Sequence, residues 1–167
     1  MTKIILIRGP ICAGKSTVAQ ELLKNLKNCS LIDQDSFKRN IDFAKSSKWR
    51  ADLAFETALF LADKLMNKRR TIIADIHSSI KKQHEGYIAL AKKYKYALFS
   101  YLLYPPLGVC LNRNKNRVIP DIKYKISRQK IKKYWEKVHF VPREKTFDTS
   151  KMKTKRIVRE ILAEVNF

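Results

Sequence analysis

Short apolar runs and longer amphipathic stretches take turns along this chain. Lys3 to Arg8 (KIILIR) is an unbroken apolar run closed by Gly-Pro, which predicts a buried strand. Lys15 to Leu26 has Val18, Leu22, Leu23 and Leu26 at helical spacing. Cys29 to Asp33 (CSLID) predicts a second strand, and Lys48 to Asn67 a long helix striped by Leu53, Ala54, Ala58, Leu61 and Leu65. Arg70 to Asp75 (RTIIAD) is rich in β-branched residues and ends on an acid, so it predicts a third strand. Ile80 to Tyr94 predicts a helix, Ala97 to Leu103 a strand, and Pro105-Pro106 a break that starts a helix through about Arg113. Pro120-Asp121, with Pro and an acid in the first turn, opens a further helix to about Val138. A short strand at Lys145 to Asp148 and a helix at Thr154 to Val165 close the chain. Strands alternating with helices at this spacing predict a parallel sheet of about five strands, covered on both faces as a three-layer α/β sandwich. No repeat, low-complexity tract or linker interrupts the pattern, so residues 1–167 are expected to form one domain.

Between the first strand and first helix lies Gly9-Pro-Ile-Cys12-Ala13-Gly14-Lys15-Ser16-Thr17, which fits G-x-x-x-x-G-K-[ST]. Gly9 and Gly14 let the backbone turn without a Cβ. Successive N–H groups then form a nest for phosphate oxygens, reinforced by the helix N-terminus. Lys15 brings a full charge to the β- and γ-phosphates, and the Ser16 hydroxyl can ligand Mg²⁺. The strand-loop-helix context is the one this motif requires, so the expected fold is that of a P-loop protein that holds a nucleotide's phosphates with Mg²⁺. Cys12 is read as a small residue of the loop.

Three later stretches bear on what happens to the phosphate. Asp33 and Asp35 stand at the C-terminal end of the second strand, where parallel sheets bind ligands. A carboxylate there can take the proton of an attacking hydroxyl, and Asp35, past the strand end, is the better candidate. Lys38 and Arg39, in the next turn, could hold an anionic acceptor. Asp75 ends the third strand in the arrangement that reaches Mg²⁺ or its water; substrate binding by Asp75, His77 and Ser78 is the alternative. Arg113 and Arg117, spaced i, i+4, share a face if their helix continues. On a lid spanning about 113–138 they would neutralise charge on the transferred phosphate and exclude water. A nucleotide switch would be expected to show N-K-x-D, and neither Asn67-Lys68 nor Asn114-Lys115 is followed by x-Asp.

Composition changes the picture at one point. The chain is 45% hydrophobic and 31% charged, ordinary for a globular protein. No apolar run approaches the roughly 18 residues of a membrane span, and the first residues do not read as a secretory signal. Three cysteines at wide spacing suggest neither a disulfide framework nor a metal cluster, so a reducing compartment, the cytoplasm, is expected. The formal net charge, however, is +21. Arg113 to Arg159 carries 17 Lys+Arg against 4 Asp+Glu, a local net of +13. Such clustering favours a polyanionic partner, single-stranded nucleic acid among them, over uniform bias. Tyr124, Tyr134 and Trp135 lie among these lysines and could stack on bases, although their helical spacing points first to packing.

The loop, the QDSFKRNI segment, the acid after the third strand and Arg113-x-x-x-Arg117 together resemble the small P-loop kinases. The nearest resemblance is to the phage-type polynucleotide 5′-hydroxyl kinases. It rests on KIIL-x-x-G-x-x-x-x-GKST, on Asp35-Ser-Phe-Lys38 and on Arg113-Asn-x-x-Arg117 with Pro120-Asp121 nearby. That resemblance implies transfer of the γ-phosphate of ATP to a 5′-hydroxyl. Asp35 would be the base, and Lys15, Ser16 and Arg117 would handle ATP, Mg²⁺ and the transition state. Where that family has an arginine on the acceptor-side phosphate, this chain has Lys38, with Arg39 beside it, and lysine offers a point charge in place of a bidentate fork. The same features are similar to chloramphenicol phosphotransferase and to zeta-toxin-type kinases, which implies a small-molecule hydroxyl as the alternative acceptor. FDTS near the C-terminus resembles the base-contacting loop of this wider group, implying that Asp148 and Thr149 lie near adenine.

Overall fold

The strands follow the apolar runs. In this computed structural model, which describes residues 2–41, 47–116 and 126–166, β1 (Lys3–Gly9), β2 (Cys29–Asp33), β3 (Thr71–His77), β4 (Ala97–Leu103) and β5 (Lys145–Phe147) form one parallel sheet. Its order is β2-β3-β1-β4-β5. The connections are helical: α1 (Lys15–Asn25), α2 (Gln34–Ile41), α3 (Lys48–Asn67), α4 (Lys81–Tyr94), α5 (Leu107–Asn116), α6 (Arg128–Glu136) and α7 (Thr154–Val165).

The two-residue period of a strand divides the core in two. Ile5 and Ile7 of β1 face Val18, Ala19 and Leu22 of α1 and Ile157, Val158 and Ile161 of α7. Ile4 and Leu6 face Phe55, Ala58, Ala62 and Met66 of α3 and Tyr87 and Ala91 of α4. All four β1 residues are fully buried, each worth about 1.5–3 kcal/mol relative to exposure. The sheet is thereby the middle of three layers, and its central strand is the one that enters the phosphate loop. β1 is followed by β2 on one side, while β3 is followed by β4 on the other. The reversal opens a crevice at the C-terminal ends of β1 and β3.

Two elements differ from the sequence expectation. Gln34–Ile41 is a helix, although only Phe37 and Ile41 mark an apolar face. Local bonds start it: the Asp33 carboxylate accepts the Asp35 N–H at 2.9 Å, and the Ser36 hydroxyl donates to the Asp33 carbonyl at 2.6 Å. The helix expected to run to about Val138 begins at Arg128, because the Ser127 hydroxyl accepts the Lys130 N–H at 3.2 Å as its N-cap. Its expected start at Pro120-Asp121 lies outside the described residues, as do Arg117 and Tyr124. The helix holding Arg113 runs on to Asn116. Among the described residues no helix is long and apolar enough to cross a membrane.

Candidate active site

Backbone constraints build the floor of the crevice. A Cβ on Gly9 would stand 2.5 Å from the Leu103 carbonyl oxygen on β4, so only glycine lets β1 pass this close. Gly14 has φ +97°, in the left-handed region that suits glycine, immediately before α1. The Ala13 N–H bonds back to the Pro10 carbonyl at 3.3 Å, closing the loop. Lys15 and Ser16 then emerge on the first turn of α1, with Thr17 exposed beside them.

Asp75 on β3 faces this turn. Its Oδ2 accepts from the Ser16 hydroxyl at 2.6 Å, and its Oδ1 lies 3.8 Å from Lys15 Nζ. Lys15 also donates to the Pro10 carbonyl at 3.1 Å. Burial pushes the Asp75 carboxyl above its ordinary range, an effect that Lys15 and Ser16 oppose and the nearby Asp35 and Asp33 charges reinforce. The Ser16 hydroxyl and the Asp75 carboxylate, in contact with each other, are hard oxygen donors of the kind Mg²⁺ takes, and they fit that ion.

Asp35 stands across the crevice on the first turn of α2, its side chain 73% exposed. The surrounding protein works against its charge, but Lys38, donating to Oδ1 at 2.8 Å, prevails with help from Lys15, and the carboxyl is held down at about 2. Lys38 is thus engaged with Asp35, while Arg39 reaches Asp33 at 3.5 Å. Asp33 itself is occupied in capping α2.

His77 ends β3 two residues after Asp75, on the same side of the strand. Burial lowers its pKa to about 3, helped by Lys15, Lys38 and Lys130 and opposed by Asp35, so the imidazole is neutral. The Ser79 hydroxyl lies 3.0 Å and the Ser79 N–H 3.5 Å from Nδ1. The ring of Tyr134, on α6, covers it with centroids 4.8 Å apart. α6 is held there by Ile131, which is fully buried, and by Trp135, which stacks on Tyr104 and donates from Nε1 to the Pro105 carbonyl at 2.9 Å. Packing therefore occupies Trp135.

Arg113, on α5, reaches the phosphate loop. Its guanidinium donates to the carbonyls of Cys12 (3.3 Å) and Ala13 (3.1 Å), and to the hydroxyl (2.8 Å) and carbonyl (2.9 Å) of Thr149. The Thr149 hydroxyl donates in turn to the Ala13 carbonyl at 2.9 Å. Arg113 thus fastens the phosphate loop to the Asp148–Thr149 turn, which Asp148 shapes by accepting from the Ser150 N–H at 2.8 Å.

One strong feature gave no signal in the sequence. Arg8, 1% exposed, pairs with Glu144 and donates to the His139 carbonyl at 2.6 Å and the Ser78 carbonyl at 3.5 Å. Glu144 also accepts from the Ser100 hydroxyl. The segment that follows α6 is thereby tied to the strand that leads into the phosphate loop.

A family model described as the AAA domain matches residues 4–139. No curated protein matches the chain. Among solved structures, the Deinococcus radiodurans tunicamycin resistance protein is similar at TM-score 0.70 and 18% identity, over 99% of this chain and 96% of that one. The Mycobacterium tuberculosis APS kinase in complex with AMPPNP and APS is similar at TM-score 0.74 and 14% identity, over 99% and 98%. The Pnkp1/Rnl/Hen1 RNA repair complex is similar at TM-score 0.69 and 19% identity, over 81% of this chain but 43% of that chain. These likenesses show the small P-loop kinase fold.

Proposed function

The chain belongs to the AAA domain family, and from that premise we propose that it is an ATP-dependent phosphotransferase that moves the γ-phosphate to an acceptor hydroxyl. The observation that carries the reading is the meeting of two charge sets at one sheet edge. Lys15, Ser16 and Asp75 form one, and the separately held Asp35–Lys38 pair forms the other. They act on each other, since Lys15 lowers the Asp35 pKa and Asp35 raises that of Asp75.

The phosphate loop and Lys15 cradle the β- and γ-phosphates of ATP, and Arg113 keeps the loop in register with the Asp148–Thr149 turn near the base. Ser16 and Asp75 hold Mg²⁺, which when bound spreads the charge of the phosphates. Asp35 orients the acceptor hydroxyl and takes its proton. A carboxyl at about 2 is a weak base, and that suffices where the proton leaves late in a loose transition state. Arg117 is assigned to the transition state by the R-x-x-x-R resemblance.

The acceptor that best fits the +21 charge is the 5′-hydroxyl of a polynucleotide. The likeness to the RNA repair complex supports it. A second reading, a small-molecule hydroxyl, is favoured by the solved structures that match over nearly their whole length, a tunicamycin resistance protein and an APS kinase. Transfer from γ-labelled ATP to 5′-OH RNA, 5′-OH DNA, nucleosides and small alcohols tests both. Label on the oligonucleotides, with affinity falling as salt rises at a slope near −0.7 per phosphate contacted, is the expected result. Label confined to small alcohols would overturn the polynucleotide assignment.

A further inference from the structure

His77 carries a hydrogen-bond donor that the fold leaves unused. A backbone N–H can only donate, so the approach of the Ser79 N–H to Nδ1 makes that nitrogen an acceptor and puts the ring proton of His77 on Nε2. Nε2 is buried and has no hydrogen-bond partner among the described residues. Leaving a buried donor unpaired is costly, and at a strand end beside Asp75 such a donor marks a place where a partner arrives from outside. The imidazole is covered by an aromatic ring, that of Tyr134, carried on the helix that flanks the crevice. Lys130 lies one turn before Tyr134 on the same helix face. Lys130, Lys15 and Lys38 act on the imidazole as positive charges, against the negative charge of Asp35.

Resting on the phosphotransferase reading above, we propose that Tyr134 occupies the acceptor seat. The acceptor is a phosphorylated sugar, free or as the terminal nucleotide of a strand. It displaces the Tyr134 ring, lies against His77, accepts the Nε2–H bond on a sugar oxygen and sets its phosphate against Lys38 and Lys130. This orients the sugar so that its free hydroxyl points to Asp35. His77 is then an acceptor-binding residue, and Tyr134 closes the seat against water when it is empty.

The probes are 3′-AMP, adenosine and a 5′-OH RNA 10-mer, with γ-labelled ATP and Mg²⁺ and the full chain. In His77→Ala the KM for 3′-AMP rises about tenfold, the loss of one hydrogen bond. In His77→Gln, whose side-chain N–H reaches the same point, it returns to within about threefold of the parent. Adenosine, lacking the phosphate, is the poorest of the three, and equal use of 3′-AMP and the 10-mer assigns the seat to a single nucleotide. Preference for the 10-mer assigns it to a strand end. With ATP alone, Tyr134→Ala raises hydrolysis to water about tenfold, because the seat opens. Equal effects of His77→Ala and His77→Gln, adenosine serving as well as 3′-AMP, or hydrolysis unchanged in Tyr134→Ala would each overturn the proposal and leave the phosphotransferase reading standing. Normal ATP hydrolysis with no transfer to any probe removes the nucleic-acid reading and this seat together.

Discussion

The two walls of the crevice are made differently. On the proposal above, the donor wall is backbone: glycines fixed by close approach and positive φ, a helix N-terminus, and carbonyls locked by Arg113 and Thr149. The acceptor wall is side chain: Asp35 at 73% exposure on a helix of eight residues, Lys38 leaning on it, and His77 under a tyrosine from another element. A backbone site binds the part of a substrate that never changes, the polyphosphate. A side-chain site can be rebuilt one residue at a time, which suits the part that differs between kinases. Similar folds accordingly recur in proteins as different as an APS kinase and an RNA repair complex.

Substitutions can break this contrast in graded steps. The largest effect belongs to the acceptor wall: Asp35→Ala should lower kcat for transfer by about 10²- to 10⁴-fold, the span of a lost general base, in steady-state assays with labelled ATP. Next comes the tie between the walls. Arg8→Ala leaves Glu144 buried without its partner and should cost about 3–5 kcal/mol of stability, read by urea unfolding. A smaller effect concerns pH. Lys38 is the main charge lowering Asp35, so Lys38→Met should raise that carboxyl toward the ordinary range near 4. In the parent Asp35 is ionised at every pH well above 2. The acid limb of kcat/KM that it contributes should therefore be out of reach in the parent and move up into the measurable range in the variant. The smallest is local: Ser127→Ala removes the cap of α6 and about 1 kcal/mol, seen as faster amide exchange in α6 with α1 unaffected.

The same contrast decided what the sequence made legible. Gly9, Gly14, Lys15 and Ser16 are held by local spacing, so the loop could be read directly, and β1, β3 and β4 could be read from their apolar runs. Asp75 reads as the end of the third strand, which in the structure runs two residues further, to His77. α2 escaped because it is short and its apolar face is only Phe37 and Ile41; the polar cap at Asp33 makes it. The partners of Arg113 include Thr149, 36 residues away, and nothing near Arg113 in the sequence announces that bond. Arg8 and Glu144 lie 136 residues apart, and one buried pair among so many surface charges leaves no pattern. The covering of His77 by Tyr134 is of the same long-range kind.

The division of labour between the walls is tested most directly by measuring ATP binding and phosphoryl transfer side by side in Lys15→Ala and Asp35→Ala. Lys15→Ala should weaken both, with transfer falling by about 10²- to 10³-fold. Asp35→Ala should bind ATP within about twofold of the parent while transfer is lost. Near-normal transfer in Asp35→Ala, or ATP binding lost in both variants alike, would contradict a donor wall and an acceptor wall with separate tasks.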